Sequence, residues 1–192
     1  MRIDELVTIG WWGVIPAIAV GSLLHFVYDW SGHHPWVARF AAVNESYWEH
    51  IKIAVWPMVL LFIVLAVLGG WREPAFVPAA TIALYSIPVS IIGIEFLAKA
   101  ILGRNVLAVD IGLFCVAIVL AQAIFSATLI QLAADGLSIA LAAVFLAGLL
   151  ASFLRFTLRP PREPDFFIDP LNRRYGLAGH PHPVPGGPTP EE

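Results

Sequence analysis

Seven side chains in this sequence have the types and spacing to hold a cation. His25 and Asp29 stand four residues apart, and Glu45, Glu49 and His50 follow within one short stretch. Glu95 and Asp110 stand alone inside long apolar runs. Imidazole nitrogens mixed with carboxylate oxygens suit zinc, manganese or iron better than calcium, which prefers oxygen alone. The pattern points to a divalent metal, zinc being one example, held by His25, Asp29, Glu49 and His50, or to protons shared among the same groups. In the metal reading a metal-bound water is the nucleophile. Glu95 or Asp110 is then the general base, if burial raises its pKa. The chain has no HExxH, no HxxxH and no activated-serine motif.

Each residue also has a plainer reading. Ser46-Tyr47-Trp48-Glu49 is an S-x-x-E capping box, and Asn44 is an alternative N-cap worth about 1 kcal/mol. Glu45 can complement a helix N-terminus. Glu95 with Lys99 is an i,i+4 pair, and His25 with Asp29 can be a structural hydrogen bond on one helix face. His33 and His34, in a GHHPW turn, read as solvated. His180 and His182 form an HxH in a Pro/Gly-rich tail and read the same way. Gln122 and Gln131 read as interhelical hydrogen-bonding groups.

The elements that must position these groups are apolar helices. Of the 192 residues 59% are hydrophobic and 13% charged, where a soluble domain carries about a quarter charged. Mean hydropathy is +0.80. Apolar runs longer than about 18 residues, bounded by Trp, Arg, Gly or Pro, read as membrane spans. Five are expected, at residues 7–30, 48–70, 76–102, 106–131 and 137–158. The expected fold is therefore an all-α polytopic membrane bundle, with Pro88 kinking the third span. The N-terminus lacks the basic region and cleavage site of a secretory signal, so its apolar run is read as a retained span. Residues 159–176 still carry Phe166, Phe167, Ile168 and Tyr175 and are expected to pack on the bundle. Residues 177–192 are expected to be disordered.

Five spans put the termini on opposite sides, and the basic residues choose between them. Arg39, Lys52, Lys99, Arg104, Arg155, Arg159, Arg162, Arg173 and Arg174 gather on one side, against Arg2 and Arg72 on the other. The positive-inside rule then makes the C-terminus cytoplasmic and the N-terminus external. Trp11, Trp12 and Trp71 mark the outer interface, and Trp30, Trp36 and Trp48 the inner one. Nine Arg against two Lys, with many Ala, Gly and Pro, suggests a GC-rich bacterial genome, hence the cytoplasmic membrane of a bacterium. The lipid bilayer is the expected partner, with room for a homo-oligomer. A net charge of −3 without a basic run argues against nucleic acid. The one cysteine, Cys115, excludes an intrachain disulfide and reads as a small buried hydrophobe.

On this topology the acids and histidines from four helices fall in one leaflet. A carboxylate near mid-helix costs roughly 2.5–3.5 kcal/mol on insertion scales, so such acids face a partner or a water cavity. That shared level is what raises the reading of a site beside that of separate caps and pairs.

Three segments carry a resemblance. HFVYDWSG from His25, NESYWEHIK from Asn44 and PPREPDFFIDPLNRRYG from Pro160 resemble a prokaryotic family of integral membrane proteins known as a domain of unknown function. The likeness covers nearly the whole chain. It implies a compact multi-span protein in which His25, Asn44, Glu45, Ser46, Trp48, Glu49, His50 and Asp169 belong to the shared pattern. It implies no activity.

Three functions compete on these grounds. One is a metal-dependent membrane-embedded hydrolase acting on a lipid or small amphiphile. Another is a proton- or cation-coupled transporter or channel, for which the outer helix halves offer no polar path unless a second copy supplies one. The third is a non-catalytic scaffold, its polar cluster tying helix ends together.

Overall fold

The computed structural model describes residues 1–103, 107–163 and 165–180, with the side chains of Lys99, Leu107 and Ala108 outside that description. Among the described residues six α-helices follow in order: α1 Ile3–Leu24, α2 Val27–Trp30, α3 Tyr47–Val67, α4 Phe76–Leu102, α5 Leu107–Gln131 and α6 Gly136–Phe156. All but α2 are long and apolar enough to cross a membrane. Short 3-10 turns fill the connections at Val37–Arg39, Gly70–Arg72, Asp165–Phe167 and Gly176–Gly179. Among the described residues the only β pairing is an isolated antiparallel bridge between Ile168 and Tyr175. The expected Glu95–Lys99 pair and His182 lie outside the described residues.

The chain divides into two compact units, and α1, α3 and α6 contribute residues to both. The first comprises Met1–Val20 and Ala54–Leu149. Its centre is apolar: Leu6, Met58, Leu65, Leu84, Ile87, Ile118 and Phe125 are fully buried. Phe125 stacks on Phe62 at 4.6 Å and takes the edge of Phe76 at 5.5 Å, the two arrangements that aromatic quadrupoles favour. Small residues let helices approach. A Cβ on Gly10 would strike the amide of Gln122, and one on Gly13 would strike Leu61. Gln122 turns its amide to Ser126 of its own helix at 3.1 Å. The hydroxyls of Thr81 and Tyr85 donate to the carbonyls of Ala142 and Phe145 at 3.2 and 3.1 Å. α4 runs unbroken through Pro88. α6 opens with a reciprocal cap, in which the Ser138 amide donates to the Asp135 carboxylate at 2.8 Å and the Asp135 amide donates to the Ser138 hydroxyl at 2.9 Å.

Large apolar side chains remain on the outside of these helices, including Trp12, Val67, Val89, Phe96, Ile101, Leu137 and Val144. So many exposed apolar groups are a liability in water and the normal condition of a surface facing lipid.

The second unit comprises Gly21–Ile53 and Leu150–Glu192. Here the polar residues concentrate. Asn44, Ser46, Glu49, Lys52, Thr157 and Asp169 are all buried.

Candidate functional site

The connection between α1 and α3 sets the geometry of the second unit. α1 stops at Leu24, so His25 and Asp29, expected on one helix face, lie outside that helix and Asp29 sits in α2. α2 ends in a paired turn. The His33 amide donates to the Tyr28 carbonyl at 3.1 Å and the Gly32 amide to the Asp29 carbonyl at 3.0 Å. Gly32 takes the left-handed backbone this closure needs, with φ +68°. His33 follows it there at φ +65°. For a residue with a Cβ that conformation costs roughly 1–2 kcal/mol, and strained residues of this kind cluster at functional sites. Its effect is to fold the His33 ring back towards Asp29.

Three ligand atoms then meet. His33 Nε2 lies 3.1 Å from Asp29 Oδ1, His180 Nε2 lies 2.9 Å from the same oxygen, and the two Nε2 atoms are 3.0 Å apart. Among the described residues Asp29, His33 and His180 are the one group of three His, Cys, Asp or Glu whose ligand atoms converge to within 4.8 Å. His180 sits edge-on to Tyr28 at 5.1 Å, and its side chain is 5% exposed. Its Nδ1 is 2.8 Å from the carbonyl of Val43. A carbonyl only accepts, so Nδ1 carries the proton and Nε2 of a neutral ring offers a lone pair. Burial, followed by the charges of Asp29 and Glu49, pushes the Tyr28 phenol above its ordinary pKa, so it stays neutral beside the cluster.

A second group gathers on Glu45. His25 Nε2 stands 3.5 Å from one carboxylate oxygen and His50 Nε2 3.4 Å from the other. The hydrogen bond from His50 is the main reason the Glu45 carboxyl titrates below its ordinary range. The positive charges of His50 and His25 add to it, and burial opposes it. The two rings are 5.8 Å apart. The Glu45 amide donates to Asp169 at 2.9 Å, so Glu45 is held by the later segment as well as by its own helix start.

The third group is closed on itself. Lys52, fully buried, donates to the Ala38 carbonyl at 2.6 Å, to the Thr157 hydroxyl at 2.9 Å and to the Glu49 carboxylate. These use all three ammonium protons. Glu49 also accepts from the Val43 amide at 3.1 Å and from the Thr157 hydroxyl at 3.0 Å. The S-x-x-E reading is thus corrected: Glu49 reaches past Ser46 to Val43, and the Ser46 amide donates instead to Asn44 Oδ1 at 2.9 Å.

The segment after α6 completes the unit. Asn44 donates to the Gly176 carbonyl at 2.9 Å. Asp169 takes the amides of Leu171 and Asn172 at 2.7 and 3.0 Å in a tight turn. Gly176, at φ +54°, has no room for a Cβ, which would lie 2.6 Å from the Thr157 carbonyl. Trp48 stacks on Phe153 at 4.4 Å and packs on Phe167 at 5.0 Å.

The seven residues singled out from sequence therefore fall into separate sets. His25 and His50 flank Glu45, Asp29 joins His33 and His180, and Glu49 belongs to the Lys52 network. Glu95 on α4 and Asp110 in the first turn of α5 belong to the first unit, both half-buried. Reading the sequence missed His33 and His180. The signal for His33 was the Asp29–His33 spacing joined to Gly32. His180 had none, because its partners lie up to 147 residues away and the residues around it resemble a solvated tail.

A family model described as a family of unknown function (DUF6512) matches residues 2–177. No curated protein and no solved structure matches the chain.

Proposed function

We propose, for a chain that belongs to this family of unknown function, that it is a multi-pass membrane protein binding one divalent transition metal ion between Asp29, His33 and His180. The single observation that carries this is the convergence of three ligand atoms on one point. Three contacts of 2.9–3.1 Å join the Asp29 oxygen and the two Nε2 atoms. A single cation among the three atoms satisfies all of these contacts at once, and two neutral imidazoles with one carboxylate are a donor set suited to a transition metal ion. Two ligands about 2.1 Å from one ion at right angles stand about 3.0 Å apart, so the triangle suits an ion bound on one face. The Val43 carbonyl plays the usual outer role, fixing the tautomer and orientation of a ligating His180.

Two imidazoles and one carboxylate leave coordination positions for water. Such an ion lowers the pKa of bound water towards about 7 and supplies a hydroxide nucleophile. Hydrolysis of an ester or phosphoester in an amphiphile is the chemistry that fits a site of this kind in a membrane protein. In such a hydrolysis the water oxygen would bond to carbon or phosphorus, the bond to the leaving alcohol would break, and the alcohol would leave with the proton that the water gave up.

The test is metal content and affinity of the purified full chain. Wild type should bind about one zinc or manganese per chain, and His180→Ala should bind at least roughly a hundredfold more weakly. Equal metal affinity in wild type and His180→Ala would overturn the reading. Hydrolysis of an ester or phosphodiester amphiphile that persists after chelation would remove the metal from the chemistry while leaving the binding result standing.

A further inference from the structure

A separate feature of the second unit is a cleft of about 450 Å³ lined by Arg39, Ala151, Leu154, Arg155, Leu158 and Arg159. We infer that it binds the phosphate headgroup of an anionic phospholipid, the guanidinium groups holding the phosphate and the apolar wall meeting the start of the acyl chains. The inference stands apart from the metal reading and shares no residue with it.

Charge comes first. Three guanidinium groups line one cleft, and among the described residues no acid pairs with Arg155 or Arg159. Arg155 lies in the last turn of α6, where the helix end carries about half a negative charge. That can offset part of the Arg155 charge, and Arg159 remains. Positive charges gathered along one cleft raise its potential until an anion enters. Guanidinium is the side chain best shaped for phosphate, which it can hold by two parallel hydrogen bonds.

Position argues for a lipid over a free ion. Arg155 closes a helix whose earlier turns expose Leu137, Leu141, Val144 and Phe145, so the arginines follow directly on a lipid-compatible stretch. Arg39 lies 4.1 Å from the ring of Trp36, which is exposed. A tryptophan face orients a guanidinium, and exposed tryptophans sit where headgroups begin. Ala151, Leu154 and Leu158 give the cleft an apolar side that an inorganic ion would not use. Basic pockets at the ends of membrane helices are the general form of headgroup recognition.

The experiment uses the full chain, delipidated in neutral detergent, with bound lipid counted by native mass spectrometry. Phosphatidylglycerol, phosphatidylcholine and inorganic phosphate are the probes. Wild type should retain phosphatidylglycerol in preference to phosphatidylcholine. R155Q/R159Q should weaken that retention roughly tenfold, by loss of two charge-assisted contacts. R155K/R159K, which keeps the charge and loses the fork, should fall between them, and R2Q/R72Q should match wild type. Both arginines are exposed, and thermal unfolding of each variant confirms that the fold is kept. Equal retention in R155Q/R159Q and wild type would overturn the proposal. So would equal retention of the two lipids, or displacement of phosphatidylglycerol by inorganic phosphate at matching concentration, which would assign the cleft to a free anion.

Discussion

Glu49–Lys52–Thr157 and Asp29–His33–His180 lie in the same unit, and each joins α3 or its preceding hairpin to the segment after α6. Their hydrogen-bond inventories differ. In the first every ammonium proton of Lys52 has an acceptor and Glu49 meets three donors, all of it buried. In the second, three ligand atoms converge within 3.1 Å of one another, and Asp29 is exposed. A closed network serves the fold, whereas imidazole and carboxylate atoms converging on one point form a geometry that an ion can use. That geometry separates the two where charge and residue type do not.

The comparison breaks most sharply at Glu49. Removing one member of a buried ion pair strands the other charge, at a cost of about 3–5 kcal/mol. Glu49→Ala should therefore lose most of its folded yield, read by thermal unfolding in detergent. Replacing both charges, in Glu49→Leu with Lys52→Met, should recover a large part of it, because two apolar groups leave no charge unpaired. A Glu49→Ala protein as stable as wild type would mean that the closed network is not structural.

His33 sharpens the other side. Its left-handed backbone costs roughly 1–2 kcal/mol that glycine would not incur. His33→Gly gives up the imidazole contacts and relieves that strain, so its stability should stay within about 1 kcal/mol of wild type. Its metal affinity should nonetheless fall strongly. A fold that tolerates glycine while the ion is lost is the mark of a residue retained for binding. If His33→Gly unfolds the protein, the ring belongs with Lys52 and Glu49 as a structural group.

Much of the architecture is legible in the chain because its signals are local. Long apolar runs ending in Trp-Arg, Gly-Gly or Asp-Gly yield five helices of membrane-crossing length. The segments from His25, Asn44 and Pro160 carry the family resemblance, and the hydrogen bonds from Asn44 to Gly176 and from Glu45 to Asp169 join the last two of them. The site was less legible. Treating His25 and Asp29 as neighbours on one helix assumed that α1 continued beyond Leu24, whereas the chain turns there and redistributes the two residues. Glu49 looked like a ligand because its partner Lys52, one turn away, was counted as a topology marker. His180 could not be placed, since what fixes it is the Val43 carbonyl 137 residues earlier, and sequence spacing carries no trace of such a contact.

The smallest expected effect concerns Glu45, which stands between the two extremes. Its carboxylate has partners on both oxygens yet is 41% exposed. The His50 hydrogen bond, then the charges of His50 and His25, hold its pKa below the ordinary 4.5. His50 Nδ1 lies 3.1 Å from the Ser46 carbonyl and so carries a proton. To donate from Nε2 as well, the ring must be an imidazolium. A carboxyl whose folded pKa is depressed contributes stability that is fully present above its unfolded value. That contribution is lost as pH falls from about 4.5 through the folded value. Solvent screening at this exposure keeps the contribution under about 1 kcal/mol. Glu45→Gln should therefore lower the unfolding temperature slightly at pH 6, and the difference from wild type should vanish as pH drops below 4.5. If the difference is unchanged across the acid range, Glu45 is an ordinary exposed acid, and the open region of the unit contracts to Asp29, His33 and His180.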